Sequence, residues 1–407
     1  AASDVYKRQF LKRHDIFTIH TAPFYAYRKQ IILRQAQKLK QVFPDFEILY
    51  SIKTNPFFPI LQTVSEFGLG ADAASAKEVS ESRRAGISSE RIYFSAPGKT
   101  RDELEDVIGR CHIIADSFHE LDLCNRLAQE KHAVLPIGIR VNPAFSMEGT
   151  EGGPSQFGID EEQLFSPHAF DDFPALRPTG IHVHIQSQIL DADQLTAYYA
   201  HVLTLALRLE HLWDTKLSYI NFGSGLGIVY DPNTQKPLDL DALQKKVSTV
   251  FDAFRPRLQA KFLLESGRFL VGESGVYVTE IMDIKISRGK TYYIVKNGAN
   301  GFFRPVMKEL MTKDQHTPSP AEPFYTCSNI SQVTLLADRE GTETVDIVGG
   351  LCSRYDLLAS NVTLPRAEVG DRLLFTNAGS YGYTLSPLLF GSQTPPDQLW
   401  LEHETEI

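Results

Sequence analysis

The chain has 407 residues, a length that predicts two to three domains, and its composition of 43% hydrophobic and 22% charged residues excludes a mainly disordered protein. The formal charge of −9 excludes a broad electrostatic surface for nucleic acid. All apolar runs fall far short of the roughly 20 residues that cross a bilayer, so we predict no membrane contact. Four widely spaced cysteines without a CxxC pair indicate neither a disulfide framework nor a structural zinc site, which favours the cytoplasm.

The elements begin after an atypical start. Residues 1–9 resemble a stretch carried in from a transposon end or a sequencing adaptor, so we predict a non-native leader there. Farther along, eight apolar, β-branched runs alternate with segments of helical periodicity, which is typical of a parallel sheet with crossover helices. Eight such units over about 250 residues predict a (β/α)8 TIM barrel. The eight predicted strands are 46–52, 69–74, 91–95, 112–115, 134–141, 180–185, 217–222 and 262–265.

The alternation stops after Arg268. Long runs of period two follow at 275–286 and 290–295, with shorter strand-like pieces farther on, and they predict an antiparallel β domain. The predicted fold class is therefore α/β. A barrel spans 24–274, and a C-terminal β domain is formed by 10–23 plus 275–407.

Polar side chains follow the predicted barrel strands, at the edge where such barrels carry their active sites. Lys53 follows the first strand, where burial in the barrel mouth would lower the pKa of its amine and make it a nucleophile or Schiff-base former. Asp72 lies toward the end of the second strand. Taken alone, it fits a structural carboxylate at a helix N-terminus as well as it fits a functional one. Arg140 lies at the end of the fifth strand.

The last three strands carry the more specific patterns. His182 and His184 stand two residues apart on the sixth strand and point the same way, as a metal pair would, but no third ligand has suitable spacing. We therefore predict no metal and favour a packed or ring-stacking histidine. The glycine-rich segment 223–227 after the seventh strand fits a phosphate cradle or a tight turn. Residues 265–268, at the end of the eighth strand, add a carboxylate, a glycine and a cation. This favours a phosphate cradle over a tight turn for the glycine-rich segment.

These features together describe a site for pyridoxal 5′-phosphate. The sequence resembles the fold-type III enzymes that use this cofactor, specifically the ornithine/diaminopimelate/arginine decarboxylases, from about Phe24 to Leu401. The resemblance implies an alanine racemase-like barrel. The shared motifs are Y-x-[VI]-K-[AT]-N at 50–55, H-x-H-x-G-S-Q at 182–188 with Gln186 in place of glycine, G-G-G at 223–225 with Ser224 in the middle, E-P-G-R at 265–268 with Ser266 in place of proline, the cysteine segment at 349–356 and G-A-Y at 379–381 with Ser380 in place of alanine.

The resemblance also implies roles at the cofactor. Lys53 would form the Schiff base, His184 would stack on the ring and Asp72 would lie near the Schiff base. Glu265 would pair with the ring nitrogen and keep it protonated, which favours loss of CO2 and argues against the related alanine racemases, where an arginine takes this place. The residues implied to hold the phosphate are Ser187, Gly223, Ser224, Gly225, Gly267, Arg268 and Tyr381.

A further implication concerns a second subunit. Cys352, with Asp356, would reach the active site of the partner in a head-to-tail homodimer, where Cys352 would protonate the substrate Cα. A free cysteine is more often a small buried hydrophobic residue, so this role depends on the resemblance more than that of Lys53 does.

Departures from the family pattern bear on the substrate. Ser353 stands where ornithine and diaminopimelate decarboxylases have an acidic residue for the distal ammonium, and Lys308 stands where an R-P-x-x-Y motif has its tyrosine. The chain most resembles decarboxylases of vibrioferrin- and staphyloferrin B-type siderophore synthesis, which act on an amino acid already joined to citrate. The predicted substrate contacts are Arg140, Arg304, Arg354 and Asp356, although a plain surface charge fits Lys308 and Arg354 equally well.

We therefore predict a carboxy-lyase that uses pyridoxal 5′-phosphate and acts on a small L-amino acid or citryl-amino acid in siderophore biosynthesis. An alternative of the same class is diaminopimelate decarboxylase. An alternative of another class is a non-catalytic cofactor-binding homologue. Such a homologue would be expected to have lost Lys53 or Cys352, and both are present.

Overall fold

The chain is organised as two compact units. The computed structural model describes residues 17, 20–147, 149–223, 225–307 and 332–402; the predicted leader, Ser224 and Lys308 lie outside this part. The barrel unit comprises 33–228 and 237–270, and the β unit comprises the described residues of 1–32, 229–236 and 271–407.

Strands and helices alternate through the barrel unit, whereas the β unit consists mainly of strands. The strands are β1 Phe24–Arg28, β2 Phe46–Ser51, β3 Gly70–Ala73, β4 Ile92–Phe94, β5 His112–Ala115, β6 Leu135–Asn142, β7 Ile159–Asp160, β8 Leu176–His182, β9 Tyr219–Asn221, β10 Lys261–Ser266, β11 Gly275–Ser287, β12 Lys290–Val295, β13 Val333–Leu335, β14 Thr342–Gly349, β15 Leu357–Pro365, β16 Arg372–Phe375 and β17 Asp397–Leu401. The α-helices are α1 Lys29–Val42, α2 Phe58–Glu66, α3 Ala76–Arg84, α4 Arg101–Val107, α5 Phe118–Glu130, α6 Glu161–Leu164, α7 Ala192–Leu212, α8 Leu240–Phe254 and α9 Arg268–Val271.

Eight parallel strands close the barrel. Their order is β5-β4-β3-β2-β10-β9-β8-β6, and pairing of β5 with β6 completes the circle. Each strand overlaps one of the eight predicted apolar runs, so the predicted (β/α)8 barrel is confirmed. The interior is filled by large side chains from different strands, which pack as a core rather than lining a pore. They include Leu49, Tyr93, Ile114, Tyr219 and Leu263.

The β unit is built on a sheet in the order β13-β16-β11-β12-β14-β15. Most neighbours are antiparallel, as predicted, but β12 and β14 run parallel. Strand β1 also belongs here, because it pairs antiparallel with β11 and parallel with β17. The predicted boundaries assign Phe24–Arg28 to the barrel; its backbone hydrogen bonds place it in the β unit instead.

Side-chain caps explain where the barrel helices begin. Helices α3, α4, α5, α7 and α8 each follow a Ser, Thr or Asp whose side-chain oxygen accepts a backbone N–H of the first turn. At α4 the cap is a full capping box between Thr100 and Glu103. Within the described residues, no helix has both the length and the apolar character needed to cross a membrane.

A buried ion pair ties two loops of the barrel together. Lys99 Nζ donates to Glu120 Oε2 at 2.9 Å and to the carbonyl of Ile114 at 2.7 Å, and both charged side chains are at most 2% exposed. Glu120 Oε2 also accepts the N–H of Asp116 at 2.9 Å. The pair therefore organises the chain between β4 and α5.

Replacement of Lys99 by methionine is expected to lower the free energy of unfolding by about 3–5 kcal/mol, because it leaves the Glu120 carboxylate buried without its cation. Urea denaturation followed by circular dichroism measures the change. Arg101→Met is the control: it breaks the exposed pair with Glu130 and is expected to cost less than about 1 kcal/mol. Equal losses in the two variants would contradict the role of burial.

Candidate active site

The carboxyl ends of the barrel strands bring polar side chains to one rim of the barrel unit. Because neighbouring strands are parallel, residues that end different strands meet at the same edge. The side chains gathered there are Lys53 after β2, Asp72 in β3, Arg140 in β6, His182 at the end of β8 with His184 after it, Asn221 in β9 and Glu265 in β10.

Lys53 and Asp72 form the first pair. Lys53 lies in a single 3-10 turn, Ile52–Thr54, and its Nζ is 3.4 Å from Asp72 Oδ2. Asp72 is buried, and its other oxygen accepts the hydroxyl of Ser95 at 2.6 Å. The Lys53 side chain is 43% exposed, so it is less buried than the sequence predicts. A fixed carboxylate thus holds an amine that remains accessible to a carbonyl compound.

Glu78 lies on α3, close enough to Lys53 and Asp72 for their charges to affect its pKa. Its Oε2 accepts the N–H of Ala74 at 2.6 Å. Burial raises the pKa of Glu78 to about 7, and the charge of Asp72 adds to this, while the Ala74 hydrogen bond and Lys53 oppose it. Between pH 4.5 and 7 the folded chain therefore keeps a proton that the unfolded chain has released.

Glu78 is expected to make the protein less stable as pH rises through this window, because the folded state binds more protons there. Glu78→Gln is expected to remove this pH-dependent decrease in the free energy of unfolding, which amounts to at most about 3 kcal/mol. Denaturation curves from pH 4 to 8 measure it. Glu81→Gln, which alters the pair with Arg84 on the same helix, is the control; the idea fails if both variants give parallel pH profiles.

His184 lies just beyond the end of β8. Burial lowers the pKa of its imidazole to about 3; the positive charges of Arg140, Lys53 and His182 lower it further, against the opposing charge of Glu265. The ring is therefore neutral at physiological pH, which suits a stacking role. Ser187 Oγ lies 3.4 Å from His184 Nε2, so the two predicted cofactor contacts are adjacent.

Glu265 is the buried anion of the site. Its Oε1 accepts the amide of Asn221 at 2.9 Å and lies 3.2 Å from His182 Nε2. Burial raises the pKa of Glu265, but the close contact with His182 and the positive charge of Lys53 outweigh it, so the pKa of Glu265 is well below its ordinary value. Glu265 is therefore ionised at neutral pH. The sequence favours a packed or ring-stacking role at the His182/His184 pair and does not mark Asn221, although Asn221 stands two residues before the glycine loop.

The glycine loop follows β9 directly. Gly223 has φ +62°, and a Cβ there would lie 2.5 Å from the carbonyl oxygen of Val183, so no side chain fits. Its N–H donates to Asn221 Oδ1 at 2.9 Å. The N–H of Gly223 is therefore engaged within the protein, and the phosphate contact expected for Gly223 stays a prediction. Gly225 also belongs to the described part of the loop.

The segment after β10 completes the barrel rim. A Cβ on Gly267 would lie 2.3 Å from Thr54 Cγ2, so Gly267 packs directly against the turn that carries Lys53. Arg268 begins α9 and is buried. The rim thus holds an amine, a buried carboxylate, a neutral imidazole, a glycine loop and a buried guanidinium. This donor set fits the aldehyde, ring nitrogen, ring face and phosphate of pyridoxal 5′-phosphate.

Arg140 has a partner within the barrel unit. Its Nη1 lies 3.3 Å from Asp116 Oδ1, and the guanidinium lies 4.5 Å from the centre of the Phe157 ring. Asp116 Oδ2 accepts the N–H of Gly158. Arg140 therefore helps to anchor the loop that follows β6, in addition to any contact with substrate.

In the β unit, Arg304 is buried and donates through Nη1 to the hydroxyl of Tyr230 at 2.9 Å and to the carbonyl of Ser380 at 2.7 Å. It therefore supports the segment that carries Tyr381, which is buried and has a positive φ of 57°. The predicted substrate contact of Arg304 is thus at least partly replaced by a structural one.

The segment around Cys352 is exposed in the β unit. Cys352 and Arg354 are exposed, as a contact with another molecule would require. Asp356 is buried instead: its oxygens accept the N–H groups of Ala299 at 2.6 Å and Leu351 at 2.8 Å. Its carboxylate therefore anchors this loop, and the contact with substrate expected for Asp356 stays a prediction.

Comparisons with known proteins identify the family. The model of the pyridoxal-dependent decarboxylase, pyridoxal binding domain, matches residues 29–272. The chain is 32% identical over 386 residues to the L-glutamyl-[BtrI acyl-carrier protein] decarboxylase of Niallia circulans, covering 92% of this chain and 87% of that protein. It is 29% identical over 374 residues to the diaminopimelate decarboxylase of Aquifex aeolicus, covering 89% and 83%.

A solved structure agrees over almost the whole length. The diaminopimelate decarboxylase of Helicobacter pylori complexed with L-lysine superposes with a TM-score of 0.80 at 26% identity, covering 95% of this chain and 93% of that one. The fold, the donor set and the sequence comparisons thus lead to the same family. The chain belongs to the pyridoxal-dependent decarboxylases, carboxy-lyases whose cofactor is pyridoxal 5′-phosphate.

Proposed function

We propose that this enzyme removes the α-carboxylate of an L-amino acid whose distal end carries carboxylate or acyl groups rather than a free ammonium. The specific candidate is a citryl-amino acid of siderophore biosynthesis. The proposal is carried by the exposed loop at Cys352, where Ser353 and Arg354 offer a hydroxyl and a guanidinium but no carboxylate. Asp356, the acidic residue of the segment 349–356, is buried and engaged by backbone N–H groups.

Charge complementarity supports this substrate class. A distal ammonium taken out of water needs a carboxylate partner, whereas a guanidinium binds carboxylates with paired hydrogen bonds. The loop at Cys352 therefore favours an anionic distal end. Lys308, the other departure from the family pattern, lies outside the described residues.

The described geometry supports the roles proposed for the barrel residues, and the family resemblance supports the role proposed for Cys352. The cofactor, when bound, supplies the electron sink for the charge left by the departing CO2. Lys53 would hold the cofactor through its aldehyde, Glu265 would stay ionised beside the ring nitrogen, and His184 would offer an uncharged face to the ring. Cys352 Sγ then delivers a proton to the substrate Cα in the partner's site of a head-to-tail homodimer. An exposed thiol also fits a reducing cytoplasm.

Two other substrates are each favoured by a relative. The Aquifex aeolicus protein is a diaminopimelate decarboxylase, and the Niallia circulans protein acts on glutamate attached to an acyl-carrier protein. Tethered glutamate, like citryl-amino acids, has no free distal ammonium. It therefore shares the chemistry of the proposed class, whereas diaminopimelate does not.

The test is CO2 release by the holoenzyme from citryl-diaminopropionate, citryl-serine, glutamate attached to a carrier protein, diaminopimelate, ornithine and lysine. We expect turnover of substrates without a distal ammonium. Ser353→Glu is expected to shift kcat/KM toward diaminopimelate by about tenfold or more, since it adds the missing carboxylate. Turnover of diaminopimelate alone by the unaltered enzyme would refute the proposed substrate class.

A further inference from the structure

Asn221 links two parts of the cofactor site that are separate in sequence. The side chain is fully buried at the end of β9. Its Nδ2 donates to Glu265 Oε1 at 2.9 Å, and its Oδ1 accepts the N–H of Gly223 at 2.9 Å. One amide therefore joins the buried carboxylate of β10 to the first residue of the glycine loop.

The chemistry of the two partners fixes the orientation of this amide. Glu265, as a carboxylate, can only accept a hydrogen bond, and the Gly223 N–H can only donate one. A flipped amide would place oxygen against the carboxylate and NH2 against the N–H, so that both contacts would be repulsive. Asn221 thus fits this position in a way that neither aspartate nor leucine can.

His182 supplies a second contact to the same carboxylate. Its Nε2 lies 3.2 Å from Oε1, the oxygen that Asn221 also contacts. His182 and Asn221 are direct partners in the parallel pairing of β8 with β9, and Asn221 pairs in turn with Leu263 of β10. Three adjacent strands therefore converge on one oxygen of Glu265, which restricts how the carboxylate can rotate.

We propose that Asn221 and His182 are positioning residues for the cofactor. They turn Glu265 so that its other oxygen, Oε2, meets the ring nitrogen, and Asn221 sets the spacing between this carboxylate and the glycine loop at the phosphate. The inference rests on the proposed assignment of Glu265 and the glycine loop to the cofactor. It adds that the spacing is held by one amide rather than by the strands alone.

Asn221→Asp is the sharpest variant, because it keeps the acceptor for Gly223 but sets a second carboxylate against Glu265. Like charges this close raise the pKa of one carboxyl group, so that the pair shares a proton. The dissociation constant of pyridoxal 5′-phosphate, measured on stripped and reloaded enzyme, is expected to rise at least about tenfold. Its pH dependence is expected to include a titration that the unaltered protein lacks.

Asn125→Asp is the matched control. Asn125 is also buried, and its Oδ1 likewise accepts a backbone N–H, that of Ala175 at 2.9 Å, but it lies on helix α5. The dissociation constant of the Asn125→Asp variant for the cofactor is expected to stay within about threefold of that of the unaltered protein. Equal dissociation constants and pH profiles for Asn221→Asp and Asn125→Asp would overturn the inference.

His182 gives a second test that does not depend on how Asn221 variants fold. His182→Gln keeps an N–H donor toward Glu265 and is expected to retain most of the cofactor affinity, whereas His182→Phe is expected to lose about tenfold. Equal affinity in the two variants would count against the inference. These measurements use no substrate, so they remain separate from the substrate panel. Loss of cofactor in Lys53→Ala with unchanged binding in the Asn221 and His182 variants would overturn only this inference.

Discussion

Replacement of Lys53 by alanine is expected to lower the rate of CO2 release by at least about a thousandfold, since it removes the proposed covalent attachment of the cofactor. The amine of Lys53 lies 3.4 Å from Asp72 Oδ2, and the Lys53 side chain is 43% exposed. The amine is therefore held by Asp72 and still accessible to an aldehyde. Absorbance gives a reading independent of substrate. The absorbance band at about 420 nm that a lysine-bound cofactor produces is expected to disappear.

Lys77→Ala is the control for this variant. Lys77 is an exposed lysine in the first turn of α3, five residues after Asp72. It has no role in the proposed site. We expect it to keep both the absorbance band and the rate. A band of full strength in Lys53→Ala would refute the assignment of the attachment site, whatever the substrate.

The barrel could be predicted from the sequence because its signals are local. Each apolar run is long enough to form a buried strand, and each ends in the residues that a parallel barrel gathers at one rim. The sequence therefore marks Lys53, Asp72, His184 and Glu265 as candidates by their place at or near the ends of strands. Helix caps such as those of Ser75 and Thr100 are local features of the same kind, because each depends on residues within one helical turn.

The contacts between these residues could not be predicted, because they depend on which strands become neighbours and in which register. Asn221 and Glu265 are 44 positions apart, and only the adjacency of β9 and β10 brings them to 2.9 Å. Strand β1 illustrates the same limit. Its five residues form a plausible strand for either unit, and its sheet was decided by partners at 275–278 and 397–401.

The burial of individual side chains in the loop at Cys352 could not be predicted from the sequence either. The family resemblance implies a contact with substrate for Asp356, whereas the structure shows it buried, where it anchors the loop from inside. Cys352 itself is exposed. A loop anchored on its inner side by a carboxylate, with a thiol and a guanidinium outside, is arranged to act on another molecule. The proposed homodimer supplies such a molecule.

Cys352→Ala is expected to lower kcat by about a hundredfold to ten-thousandfold, the usual contribution of a positioned proton donor. If Cys352 acts in the partner's site, mixing this variant with Lys53→Ala restores activity. Random reassociation makes half of the dimers mixed, and each mixed dimer has one site with both residues intact. The mixture is therefore expected to recover about a quarter of the unaltered activity.

The mixing experiment also discriminates between arrangements of the site. If both residues act within one chain, every chain in the mixture lacks one of them, and no activity returns. Cys124→Ala serves as the control, because Cys124 is buried on α5 and is expected to leave kcat unchanged. Full activity of Cys352→Ala would refute its role as proton donor. Recovery near a quarter would establish that the exposed loop of one subunit completes the site of the other.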